Sequence, residues 1–196
     1  MNKYTLVSSF LDRSRELIMA SDHIAYENKD TVGDTFTKLL QPDIVGLKCK
    51  SEAIFWYDVR VGEKFAFALK DKHGKEIHVV IKNHFGLRKD FDVLHKDIVA
   101  DLKKYFLLPL ASHYLDTFFE EKWLTLGSLT LGPSGIQTPT LVLSWHELAV
   151  REYHSYFVLY KMNDPNLHYR VGFTEWDASI MFTVVKTIIQ VKASAA

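Results

Sequence analysis

Three polar residues at helical spacing form the clearest candidate cluster for chemistry in this sequence. His113, Asp116 and Glu120 lie three and four positions apart in a segment predicted to be helical, so their side chains share one face. An imidazole and two carboxylates could bind a metal ion or act as general acid and base. Upstream, however, the sequence supplies no partner motif such as a second Glu-x-x-His. A polar helix face is therefore the competing interpretation.

Other routes to catalysis find little support in the sequence. There is no Gly-x-Ser-x-Gly, no nucleotide-binding glycine loop and no His-Glu-x-x-His. Cys49 falls on a predicted apolar strand, where a buried small hydrophobic residue is expected. His78 and His84 would share a strand face but lie ~20 Å apart, too far to bind one metal ion. We therefore expect no catalytic residues, no metal ion and no cofactor.

Aromatic residues give the remaining functional signal, with 13 Phe, nine Tyr and four Trp. Most must form the core, but Phe55, Trp56 and Tyr57 are neighbours on a predicted strand and cannot all face one side. Two interpretations follow. Either both faces are covered by the rest of the chain, or one face exposes an aromatic patch that binds a partner. Under the second interpretation, self-association is the simplest outcome.

Composition limits the class of protein. The 196 residues carry 24 basic and 24 acidic side chains, and a nucleic-acid-binding protein usually has a basic excess. No apolar run approaches the ~18–20 residues of a membrane span, and no signal peptide is visible. A single cysteine cannot form an internal disulfide bond. We expect a cytoplasmic protein that does not bind nucleic acid or membranes.

The elements that would position these residues are mostly strands. Residues 1–16 are predicted to form a short helix, and residues 17–28, 44–50 and 52–61 to form strands. The clearest hairpin spans 64–71 and 76–83, with large apolar residues at alternate positions on one face and a turn that contains Gly74.

Helices are predicted at 93–122 and 177–192. Pro109 cannot continue the first helix cleanly, but it can begin a new one. The last helix carries a stripe of Ile180, Val184 and Ile188, whose β-branched side chains favour burial of that face by tertiary packing.

The two halves of the chain share an order of parts that indicates an internal repeat. In each half, two predicted strands precede a hairpin and a closing helix. The alternative is that any two segments of this kind would align loosely. The matched positions are Leu17 with Leu129, Met19 with Leu131, Ile24 with Ile136, Asp43-Ile44 with Glu147-Leu148, Lys70 with Lys161, and Ile77-His78 with Leu167-His168.

The second half resembles bacterial proteins with the pleckstrin-homology-like (PH-like) fold. The resemblance rests on Gly135-Ile136, the segment LSWHEL at 143–148, a hairpin over 156–173 and a closing helix, with a fainter echo over 17–106. It implies a twisted antiparallel sheet bent around a C-terminal helix, used for binding. Members that bind phosphoinositides have basic residues around the first hairpin, whereas the corresponding segments here, ENKDTVGDT and SGIQTPT, lack a basic cluster. No specific phosphoinositide binding is expected.

Taken together, the sequence predicts an α+β protein with two PH-like halves packed as one compact body. The first half, 1–122, would include a helical connector, and the second would span 123–196. We expect a non-enzymatic binding or scaffolding module for another protein, with Phe55, Trp56, Tyr57 and Trp145 as candidate binding residues. Two alternatives remain: a small hydrolase or metal-dependent enzyme built on His113, Asp116 and Glu120, and a binder of a small apolar ligand held between sheet and helix.

Overall fold

The computed structural model describes residues 1–6, 13–28, 35–84 and 91–194, with only the backbone described for Trp56, Arg60 and His84. The chain divides into two compact units, Met1–Leu107 and Leu108–Ala196. The predicted division after residue 122 lies later in the chain than this boundary. Sheets and helices occur in both units, so the fold belongs to the predicted α+β class.

The first unit consists of two antiparallel sheets followed by a helix. The four strands of the first sheet are β1 (Asn2–Leu6), β2 (Arg15–Met19), β3 (His23–Glu27) and β4 (Phe36–Leu40). After a 3-10 turn at Gln41–Asp43, the second sheet contains β5 (Ile44–Trp56), β6 (Val59–Asp71) and β7 (Glu76–His84). Helix α1 (Phe91–Leu102) then leads into a π-helical turn at Lys103–Leu107.

The second unit begins with helix α2 (Leu108–Glu121) and then has the same order of sheets. Its four-stranded sheet contains β8 (Leu124–Leu126), β9 (Leu129–Leu131), β10 (Gly135–Gln137) and β11 (Val142–Ser144). Its three-stranded sheet contains β12 (Leu148–Glu152), β13 (Tyr156–Lys161) and β14 (Asp164–Gly172). Helix α3 (Ala178–Ser194) closes the unit.

Strand register shows how the two units correspond. Met19 pairs with Ile24 between β2 and β3, and Leu131 pairs with Ile136 between β9 and β10. All four side chains are buried. The matched positions of the predicted repeat therefore occupy equivalent places in the two four-stranded sheets.

The starts of the three-stranded sheets correspond as well, since β5 begins at Ile44 and β12 at Leu148. In the hairpins, the predicted match is displaced. Ile44 pairs with Asp71 and Leu148 pairs with Lys161, so Lys161 corresponds to Asp71 and not to Lys70. The cause is a register irregularity between Ile44 and Gly46 in the β5–β6 pairing, which has no counterpart between β12 and β13 and which a sequence alignment does not show.

Several local predictions fail where tertiary pairing overrides a local pattern. The helix predicted for residues 1–16 is wrong where the structure describes it, because Asn2–Leu6 forms β1 and pairs with β2; residues 7–12 lie outside the described residues. Its Tyr4 hydroxyl donates to Asp101 Oδ2 at 2.6 Å, a contact from a distant part of the unit. The strand predicted for 17–28 is two strands, separated by a turn in which Ala20 N–H donates to His23 O at 2.9 Å.

Other local predictions are confirmed. The hairpin of β6 and β7 forms as expected, with Gly74 at a φ of +81° in its turn. Pro109 is the second residue of α2, where its missing N–H costs little. The strands predicted at 44–50 and 52–61 are only partly right, because β5 runs without a break from Ile44 to Trp56 and a turn at residues 57–58 separates it from β6.

Helix α3 holds the core of the second unit together. Ile180, Val184 and Ile188 are each 0% exposed, as the sequence predicted. The ring of Phe182 lies 5.5 Å from that of Phe157 on β13, which places α3 against the inner face of the three-stranded sheet. In the described ranges, the helices are too short or too polar to cross a membrane.

Candidate functional site

Trp145, one of the predicted binding residues, is mostly buried, and its contacts stabilise the fold. It is 8% exposed, and its Nε1–H donates to Gly132 O at 2.8 Å. Its backbone N–H donates to Ser134 O at 3.1 Å, and the Phe118 ring lies edge-on at 5.9 Å. These contacts fix the loop between β9 and β10. The residue therefore offers little surface to a protein partner.

The Trp145 ring nevertheless borders a cavity of about 710 Å³ between the end of α3 and the loops before β10 and β12. Apolar side chains, including Leu148, Met162 and Ile189, form much of its wall. The Lys192 ammonium lies 5.6 Å from the indole centroid. Such a cavity lies between sheet and helix, where the sequence interpretation placed a small apolar ligand.

The predicted aromatic cluster lies at the end of the long β5–β6 hairpin. Phe55 is 60% exposed and Tyr57 is 89% exposed. Trp56 pairs with Val59 through the backbone, and its side chain lies outside the described part of the structure. Tyr57 occupies the turn at a φ of +51°, so strand alternation does not determine where it points. Of the two interpretations left open by the sequence, burial of all three rings is excluded for Phe55 and Tyr57, which are exposed at the end of a hairpin.

The candidate enzymatic cluster is exposed on α2. His113, Asp116 and Glu120 lie on the solvent side of the helix, and none of them borders either described cavity. Within the described ranges, no three His, Cys, Asp or Glu side chains are arranged to bind a metal ion. The interpretation as a polar helix face agrees with this placement.

Two other titratable groups, His95 and Cys49, are partly buried. His95 on α1 lies 4.6 Å edge-on from Phe65 and 5.9 Å from Phe91, and its Nε2 has no hydrogen-bond partner among the described residues. Burial lowers the pKa of its imidazole below the ordinary 6.5, although Asp92 acts in the opposite direction. Burial also raises the pKa of the Cys49 thiol to about 12, which keeps it protonated and unreactive at neutral pH.

The most developed surface site lies on the outer face of the second unit's three-stranded sheet. Phe157 and Leu159 point inward from β13, so the alternate residues Tyr156, Val158 and Tyr160 point outward. Register places Arg151 of β12 and Arg170 of β14 directly on either side of Val158. The small Val158 side chain therefore forms a floor between two arginines.

A groove of about 510 Å³ lies over this floor. Tyr156 stands on one side of Val158 along the strand, and Tyr160, paired with His168, stands on the other. Tyr156 and Tyr160 form two walls of the groove. Because alternate residues along a strand are ~6–7 Å apart, these two walls are separated by about 13 Å. We call this site the Arg-Tyr groove, lined by Arg151, Tyr153, Tyr156, Val158, Tyr160, Pro165, His168 and Arg170.

Four of these side chains form a continuous stack along one wall. The Arg151 guanidinium lies 5.3 Å from the Tyr153 centroid, and Tyr153 stacks on Tyr156 at 4.8 Å and 20°. The Arg170 guanidinium covers the other side of Tyr156 at 3.8 Å. The tight turn between β12 and β13 supports this arrangement, because Tyr153 N–H donates to Tyr156 O at 2.8 Å. Cation–π contacts hold both guanidinium groups in place while leaving their donors free for a ligand.

Two arginines make the groove positive. No acidic side chain lines it in the part of the chain that the structure describes. Neither Arg151 nor Arg170 forms an ion pair with a described residue, and both are exposed. His168 Nδ1 lies 3.1 Å from Pro165 O and 3.0 Å from Asn166 O, so a proton on Nδ1 can be donated to these backbone oxygens. The arrangement can bind an anionic group through charge-assisted hydrogen bonds.

Sequence reasoning missed this groove. Most of the lining residues come from three strands, and only the pairing register places Arg151 and Arg170 on either side of Val158. A usable signal was present in the alternation of Tyr156, Val158 and Tyr160, because tyrosines on the outer face of a strand are available to a ligand.

Comparison with known proteins finds no family model, no curated protein and no solved structure that matches this chain. The function of the protein is therefore inferred from the geometry of the sites described above.

Proposed function

We propose that the protein is a non-enzymatic binding module whose ligand is another protein, and that its two units are PH-like domains related by duplication. The observation that carries the functional proposal is the Arg-Tyr groove. Arginine and tyrosine are enriched in the central residues of protein interfaces, because they combine apolar contact area with directional hydrogen bonds. The shared order of sheets and closing helix supports the proposal for the fold.

The groove also has the restricted mobility that favours binding. Its stacked side chains are already restricted to one arrangement, so they lose little rotamer freedom when a ligand binds. The entropic cost of ordering them on binding is therefore small. The backbone beneath it is a paired antiparallel sheet and not a loop. In contrast, the alternative enzymatic cluster at His113, Asp116 and Glu120 is exposed and borders neither described cavity.

A random peptide library displayed on phage and selected against the whole protein would test this function. We expect the enriched peptides to bind the wild type and to lose binding to the double variant Arg151→Gln/Arg170→Gln. The matched control is Lys186→Gln, because Lys186 is exposed on α3, which packs on the opposite face of the same sheet. If selection gives no peptide whose binding depends on the two arginines, the proposed function is wrong.

A small apolar ligand is the second candidate, favoured by the cavity beside Trp145 and Ile189. The volume of this cavity, about 710 Å³, lies in the range of roughly 300–1,000 Å³ that is typical of small-molecule sites. Dodecanoate would serve as the probe, with the change in thermal unfolding temperature as the readout. Ile189→Trp would fill the cavity and should abolish any stabilisation seen with the wild type. Absence of stabilisation of the wild type would count against this candidate.

A further inference from the structure

We propose that the Arg-Tyr groove recognises an acidic segment of the partner protein, bound through carboxylate side chains to Arg151 and Arg170. This inference rests on the proposed protein-binding function and specifies the chemistry of the ligand. It follows from two exposed guanidinium groups that lack ion pairs among the described residues, and from a lining without a described carboxylate.

The spacing of the arginines fits an extended peptide. Arg151 and Arg170 lie on the two strands that flank Val158, so their Cα atoms are about 10 Å apart by ordinary strand spacing. Alternate side chains of an extended peptide lie ~7 Å apart on one face. Two glutamates separated by one residue could therefore each reach a guanidinium group across the Val158 floor. Bidentate pairing of arginine with a carboxylate then fixes both position and orientation.

The tyrosines determine what surrounds these carboxylates. Tyr153 and Tyr156 stack on each other, and each also contacts an arginine, so the two rings hold the guanidinium groups in place. Tyr160 is not part of this stack and stands with His168 on the opposite wall. It can contact the peptide backbone or a small side chain next to the acidic residues.

Charge favours a peptide over a nucleic acid as the occupant. The chain has equal numbers of acidic and basic side chains, so it lacks the net positive field that attracts a polyanion. The groove itself supplies two arginines and a histidine, enough for a few carboxylates. Single-stranded nucleic acid would instead require aromatic faces open for stacking, and those of Tyr156 are covered by Tyr153 and Arg170.

Fluorescence anisotropy with a nine-residue fluorescein-labelled peptide of alternating glutamate and serine would test the inference on the full chain. We expect binding that weakens as salt rises. Arg170→Gln and Arg151→Gln should each weaken it by about tenfold or more, as expected for loss of a charge-assisted contact. Lys186→Gln, which also removes one positive charge from this unit, should change it by less than about twofold. Tyr156→Phe should retain binding and Tyr156→Leu should weaken it, because only the phenylalanine keeps a ring beneath Arg170.

Matched ligands decide between the possible occupants. A peptide of alternating glutamine and serine, or of lysine and serine, should not bind. No binding of the glutamate peptide to the wild type, equal binding of the glutamine peptide, or no effect of the arginine variants would each overturn the inference. Tighter binding of an oligothymidine would assign the groove to nucleic acid instead. If the phage selection yields arginine-dependent peptides without acidic residues, the acidic specificity fails while the proposed protein-binding function stands.

Discussion

The stability of the second unit should depend strongly on one side chain of α3, Ile188. This residue is 0% exposed and belongs to the buried stripe with Ile180 and Val184. Helix propensity contributes little here, since β-branched residues lose rotamer freedom in a helix. The free energy that keeps α3 folded must therefore come from packing, and removal of a central buried side chain measures that contribution directly.

Ile188→Ala removes three carbon groups from a fully buried position. At roughly 0.8 kcal/mol per buried methylene, the transfer contribution alone is about 2.4 kcal/mol. The space left behind adds a cavity contribution, because a packed core relaxes only in part. We therefore expect the free energy of unfolding to fall by about 2–5 kcal/mol.

Urea denaturation followed by far-ultraviolet circular dichroism would measure the effect. The matched control is Val191→Ala, on the same helix but with Val191 45% exposed, where a change of about 0.5 kcal/mol or less is expected. The slope of the free energy of unfolding against urea concentration should be the same for both variants and the wild type, provided that the compactness of the native and unfolded states does not change. An Ile188→Ala midpoint that moves no more than that of the control would show that packing of this stripe does not stabilise α3.

Three further predictions address other parts of the chain. Gly135→Ala should destabilise the second unit by about 1–3 kcal/mol in urea denaturation, because an added Cβ would lie 2.1 Å from the backbone oxygen of Leu143; a neutral change would contradict this close approach. Wild-type stability should fall as pH drops below about 6.5, since the unfolded chain then binds a proton that the partly buried His95 imidazole resists in the folded state. Urea midpoints should show that His95→Leu reduces this fall, and an unchanged pH dependence would refute the role of His95. Weak self-association through the exposed tip at Phe55 and Tyr57 should appear in sedimentation equilibrium and decrease in Tyr57→Ser, whereas a wild type that stays monomeric at high concentration would exclude it.

Some of the fold could be predicted from the sequence because the relevant information is local. The β6–β7 hairpin has large apolar residues at alternate positions on both strands and a glycine where the turn needs a positive φ, so neighbouring residues determine it. The stripe on α3 likewise follows from helical periodicity. The shared order of parts in the two halves was visible because apolar positions such as Met19 and Leu131 recur in the same order, and both prove to be buried in strands with matching register.

Other features depended on contacts between distant residues. The segment Asn2–Leu6 has apolar spacing compatible with a helix, yet pairing with β2 and hydrogen bonding to Asp101 make it a strand. Trp145 could not be assigned as buried from its neighbours in sequence, because its hydrogen-bond acceptor is Gly132 on a separate loop. In each case the free energy of tertiary contacts exceeds the weak preference of the local sequence.

The sequence by itself determined that Tyr156, Val158 and Tyr160 share one face of a strand, because side chains alternate along an extended backbone. It did not determine which residues lie beside them. Only the pairing of β12, β13 and β14 brings Arg151 and Arg170 to either side of Val158, and a shift of one residue in either pairing would turn that arginine to the inner face. The Arg-Tyr groove is therefore a product of strand register, which tertiary packing of the inner face against α3 decides.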